Sequence, residues 1–183
     1  IVELLAKTGG KHYHLGEIPD DKMTEIYTRL QQDGVSKDSF IPLGWVPRPA
    51  EELLRLGVEV FIEPFPVVSY KLTLEMYAAG IPVIVYDGYT RMSITDFAPE
   101  GILSWRTVEE FLDNLMAVDS SSLQQQSELV KEYFTSVHDF NVIKPYFIGE
   151  KCFLLRGGLD VVVEQVHDVF YYKKKRRGKQ SVK

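Results

Sequence analysis

Thirty residues, Val58–Asp87 (VEVFIEPFPVVSYKLTLEMYAAGIPVIVYD), constrain the fold more than any other part of the chain. Val58, Val60, Phe61 and Ile62 form a short, nearly continuous apolar run, as expected of a parallel strand covered on both faces. Pro64 and Pro66 end it, because each removes a ladder donor and fixes φ. Leu72, Leu74, Met76, Tyr77 and Ala78 then suit a short buried helix. Gly80 is placed to stop that helix in a left-handed conformation, and Pro82 blocks its continuation. Val83–Tyr86 reads as the next buried strand. In an open α/β sheet ligands sit at the carboxyl ends of strands, so the loop Pro64–Lys71 is expected to face a binding crevice. The helix opening there offers unpaired N–H groups and a positive dipole end to an anion. Glu75, one turn in, suits a different partner, since its carboxylate accepts hydrogen bonds from sugar hydroxyls. The plainer alternative is an acid placed there by the helix dipole.

The rest of the front half repeats the alternation. Ile1–Lys7 reads as the end of a helix stopped by Gly9-Gly10, and Lys11–Leu15 as a strand. Asp20 is expected to cap a helix whose apolar stripe is Met23, Ile26, Tyr27 and Leu30, ended by Gly34. Phe40–Leu43 is the next strand, and Pro49 suits the first turn of a helix carrying Leu53, Leu54 and Leu56, closed by Gly57. Helix and strand in strict alternation predict a doubly wound parallel sheet, Rossmann-like, with helices on both faces. Such a sheet begins with a strand, whereas this chain begins inside a helix. It is therefore expected to be a fragment whose first strand is missing.

Beyond Asp87-Gly88, a turn signal, the pattern is helical. Thr107 and Glu110 form a capping box ahead of Val108, Phe111, Leu112 and Leu115. Ser120–Gln126 opens a helix that buries Leu129, Val130, Tyr133 and Phe134, and Asn141–Leu155 reads as a hairpin or extended segment. A last helix is expected after Gly157-Gly158. The expected organisation is a nucleotide-sugar-binding domain over 1–118, a helical extension over 119–172 and a basic tail over 173–183.

That tail, KKKRRGKQSVK, holds seven of the twenty-one basic residues and no acid. The preceding residues therefore carry fourteen bases against twenty-six acids, a formal net charge of about −12. The tail reads either as a solvated end or as an arm for a membrane surface; a nucleic-acid role is not expected. No apolar run reaches transmembrane length, and no secretory leader is visible, which makes the cytoplasm the simplest compartment. A single cysteine, Cys152, excludes an intrachain disulfide and a cysteine-based metal cluster. His12 and His14 share one face of a strand but lack a third ligand, so no metal site is expected. No nucleophile elbow, Walker sequence or dinucleotide fingerprint is present.

The Val58–Asp87 block, with FIPLGWVP at Phe40–Pro47, resembles the donor-binding half of GT-B glycosyltransferases. Pro64-Phe65-Pro66, followed nine residues later by Glu75, is most similar to the bacterial adhesin N-glycosyltransferases, relatives of the O-GlcNAc transferases. The resemblance spans roughly Gly10 to Leu115. It departs from the family at Val67-Val68-Ser69-Tyr70-Lys71, where relatives place a run rich in Gly, Asn and Thr. Relatives with a paired-Glu motif also carry an acid where this chain has Val67. The resemblance implies a donor-binding domain that holds a nucleotide-diphosphate sugar, UDP-linked, without a metal or cofactor. The base would lie near Trp45 and Val46, the ribose on Glu75, and the diphosphate over Ser69, Tyr70 and Lys71. An acceptor protein or glycan would be held by a separate N-terminal domain, and this chain alone would be inactive. A non-catalytic interaction module and a nucleotide-sugar epimerase are the alternatives.

Overall fold

The computed structural model describes residues 1–65, 69–88 and 98–148. Helix α1 (Val2–Thr8) leads to strand β1 (His12–Leu15), helix α2 (Asp20–Gln32), strand β2 (Phe40–Gly44) and helix α3 (Pro49–Arg55). Strand β3 (Phe61–Ile62), helix α4 (Tyr70–Ala79) and strand β4 (Val83–Tyr86) follow. Then come β5 (Leu103–Trp105), α5 (Val108–Ala117), α6 (Ser120–Tyr133), a π turn over Phe134–His138 and α7 (Phe140–Phe147). Ile1–Val142 forms one unit; of the second, Ile143–Lys183, only the residues up to 148 are described.

All strand pairs named here are parallel. They form two sheets, β1-β2 and β3-β4-β5, and no ladder joins β1 to β3. One helical layer nevertheless serves both. Leu53 of α3, Met76 and Tyr77 of α4 and Val130 of α6 share a core with Phe61, Val83 and Val85, and Tyr13, Leu15 and Leu43 pack against it. On the opposite face α1 and α2 cover the first sheet through Leu5 and Leu30 against Phe40. There α5 covers the second sheet through Phe111 and Leu112 against Ile84. Alternate strand residues thus reach opposite helical layers, as a period of two requires. The fold is α/β and Rossmann-like, with helices on both faces.

The helix stops fall where glycine is needed. Gly80 has φ 72°; its N–H donates to the Tyr77 carbonyl (3.0 Å) and the Ile81 N–H to the Met76 carbonyl (2.9 Å). This paired closure satisfies two orphan carbonyls of α4, and Ile81 and Met76 complete it by packing in one core. Pro49 opens α3 as expected.

Five expectations need correction. Asp20 lies inside α2 and does not cap it: Pro19 is the residue before the first turn, with no side-chain cap bond. Strand β3 is confined to Phe61–Ile62, because Val58 follows directly on the closure of α3 through its N–H to the Leu53 carbonyl. Thr107 caps α5 by accepting from the Glu110 N–H, but the Glu110 carboxylate accepts from the Arg106 N–H instead of closing the box. Strand β5 was not foreseen, and the described part of Asn141–Leu155 is helical. Asp139 starts α7 by accepting from the Asn141 N–H (2.8 Å), and Pro145 sits within that helix. Pro66, Val67, Val68, Cys152, the helix after Gly157-Gly158 and the basic tail lie outside the described residues.

Candidate functional site

Strand β3 ends in an acid that the sequence reading did not single out. Glu63 is 3% exposed, and its Oε1 accepts from Thr73 Oγ1 of α4 at 2.9 Å. Among the described residues its Oε2 has no hydrogen-bond partner, and neither has the fully buried Tyr77 hydroxyl. Burial pushes the Glu63 carboxyl above its ordinary range, and the Thr73 hydrogen bond offsets only part of that. Burial, with the Glu63 charge second, likewise pushes the Tyr77 hydroxyl upward. The Glu63–Thr73 bond pins the start of α4 to the carboxyl end of β3. The only sequence signal was an acid between an apolar run and a proline, which identifies a strand end but not the partner ten residues on.

Helix α4 opens at Ser69, whose side chain makes no cap bond. The first intrahelical donor is the Thr73 N–H to the Ser69 carbonyl (2.9 Å), so the N–H groups of Tyr70, Lys71 and Leu72 have no acceptor within the helix. Three residues of the expected site therefore share one helical turn: Ser69 and Tyr70 half-buried, Lys71 exposed. Glu75 lies one turn on, and Lys71 Nζ approaches its Oε1 at 3.8 Å, with side chains 91% and 35% exposed. The pair is long and solvated, so a ligand that engages either member loses little by breaking it.

Trp45 and Val46 follow β2, where the Gly16 N–H donates to the Gly44 carbonyl (2.8 Å). Trp45 is 79% exposed and is not a core residue. Among the described residues no ring contact joins it to α4. The structure thus brings Ser69, Tyr70, Lys71 and Glu75 together on α4 and leaves Trp45 and Val46 on a separate loop.

The histidine pair is structural packing. His12 and His14 lie 5.0 and 6.0 Å from the Phe40 ring. Burial depresses both, His12 to about 4, which keeps its imidazole neutral near pH 7. Among the described residues there is no group of three or more His, Cys, Asp or Glu placed to hold a metal ion. No helix among them is long and apolar enough to cross a membrane.

No protein-family model matches the sequence, and no curated protein does. Among solved structures, a mutant O-GlcNAc transferase of Thermobaculum terrenum superposes with a TM-score of 0.58 at 19% identity. The match covers 74% of this chain and 28% of that one, so the chain spans little more than a quarter of its neighbour's length. At that identity the likeness is one of fold, and it is to a glycosyltransferase.

Proposed function

We propose that this chain is the donor-binding part of a GT-B-type glycosyltransferase and holds a nucleotide-diphosphate sugar at the opening of α4. The observation that carries the proposal is the α4 first turn. Its first N–H groups, which have no acceptor within the helix, share one turn with Ser69, Tyr70 and the exposed Lys71, one turn from the Glu75 carboxylate. Backbone N–H groups and the helix dipole suit a diphosphate, and Lys71 adds a point charge. Glu75 repels phosphate but accepts hydrogen bonds, which fits a ribose diol. Trp45, exposed beyond β2, supplies a surface for the base. As the glycosidic bond breaks, negative charge grows on the leaving diphosphate, and donors fixed in advance stabilise it without reorganisation. Such a site needs no metal. The acceptor and any catalytic base would belong to another part of the enzyme.

A second reading, a non-catalytic module of the same fold, is favoured by one feature. Lys71 and Glu75 already face each other, as residues with no ligand would. Calorimetric titration of the chain with UDP, GDP and their sugars separates the two. The donor-domain reading expects saturable binding of one nucleotide, weakened about tenfold or more in Glu75→Ala, the loss of roughly one charged hydrogen bond or two neutral ones. No binding by the folded chain would favour the module.

A further inference from the structure

Glu63 stands between the two elements that frame the proposed donor site, and nothing in that site's chemistry uses it. It follows β3, and its N–H donates to the Ile84 carbonyl of β4 at 3.1 Å, which fixes its backbone in the parallel ladder. Its Oε1 accepts from Thr73 Oγ1 at 2.9 Å. Thr73 is also the residue whose N–H closes the first turn of α4 on the Ser69 carbonyl. It lies about one helical turn, roughly 5 Å of rise, from the start of the helix. Thr73 thus joins a buried carboxyl to the turn that presents the N–H groups of Tyr70, Lys71 and Leu72.

The carboxyl is sparsely partnered. Among the described residues no hydrogen bond reaches its Oε2 and no ion pair involves it. From α4 it is faced by Thr73 and by Tyr77, whose buried hydroxyl feels the Glu63 charge. Tyr133 of α6 stands against Tyr77, with ring centroids 6.1 Å apart. Beside it β4 contributes the buried, apolar Ile84 and Val85, and the Tyr86 ring packs on Phe65 at 4.4 Å. Lys71 and Glu75, on the same helix, approach each other. Burial raises the Glu63 carboxyl above its ordinary range, and the Thr73 bond offsets part of that.

We propose that Glu63 is a positioning residue that makes ligand binding at the α4 opening depend on pH: its neutral form admits the diphosphate and its carboxylate opposes it. The proposal rests on the donor-binding reading above and adds its regulation. Two effects run the same way. A buried carboxylate draws on the same positive end of α4 as an anionic ligand, and it repels that ligand through a medium of low dielectric. It also leaves a charged oxygen without a donor, which favours separation of α4 from the end of β3. Binding is therefore tightest below the folded pKa of Glu63 and weakens as pH rises through it. By reciprocity a bound diphosphate favours the neutral acid, so the chain takes up a proton as the ligand binds.

The test is calorimetric titration of the full chain with UDP-glucose and UDP-N-acetylglucosamine at pH 5, 6, 7 and 8, where their diphosphate charge is constant. The dissociation constant is expected to rise about fivefold or more across that range in the parent. Glu63→Gln, which keeps an oxygen for Thr73 and cannot ionise, should lose most of that rise. Thr73→Val removes the hydroxyl that favours the carboxylate, so in that variant the rise should move to higher pH. A residue that only braced the fold would weaken binding by one factor at every pH. Equal pH dependence in the parent and Glu63→Gln overturns the coupling and leaves the donor reading intact, as does a rise unmoved in folded Thr73→Val. Absence of binding at every pH by the folded chain removes the donor reading, and the coupling with it.

Discussion

At the residue scale, the most consequential group is Glu63. A carboxyl buried with one oxygen unpartnered favours its neutral form in the folded state, so its folded pKa is raised above the unfolded one. The stability it contributes is fully present below the unfolded pKa and is lost as pH rises through the folded value. Glu63→Gln keeps an oxygen for Thr73 and removes the charge. It is expected to stabilise the chain at pH 7.5 by about 1 kcal/mol and to have little effect at pH 4, read from urea midpoints at each pH. A variant less stable than the parent at pH 7.5 would show that the ionised carboxylate is needed. None of this was legible in the residue itself. The sequence shows an acid before Pro64; only the docking of α4 on β3 brings Thr73 to it and hides its other oxygen. Glu75 and Lys71 were legible because their roles depend on local spacing, four residues along one helix, and not on tertiary contact.

At the element scale, what the sequence made readable was punctuation. Gly57 and Gly80 end α3 and α4 where expected, and the parallel strands β1, β2 and β4 lie where apolar runs placed them. Gly80→Ala forces a Cβ into a left-handed backbone and within 3.1 Å of Ser127 Oγ. It should cost about 1–2 kcal/mol, visible as a lower urea midpoint with an unchanged slope. An unchanged midpoint would mean that the closure of α4 adds nothing to the fold. The misses share a cause. Strand β5 is three residues long with a serine at its centre, too short for periodicity to show, and it exists because β4 offers it a ladder. Pro145 argued against a helix over Asn141–Leu155, yet α7 forms around it because Asp139 supplies the start. Missing β5 also hid the contact of Trp105 with Tyr86, which the β4–β5 register brings opposite each other.

At the scale of the molecule, helical layers on both faces of parallel strands place the α4 opening beyond the carboxyl end of β3. An α/β fold uses that edge for ligands. The edges of β1 and β3 carry no ladder to each other, although α3, α4 and α6 cover both sheets with one core. The solved glycosyltransferase shares this fold, and the proposal of a nucleotide sugar rests on the first turn of α4. The most direct test of that proposal is a UDP titration followed by backbone amide shifts. The account predicts that the amides of Tyr70, Lys71 and Leu72 move most, together and saturably, because these N–H groups are the ones without helical acceptors. Saturable UDP binding that leaves those three amides unmoved would contradict it.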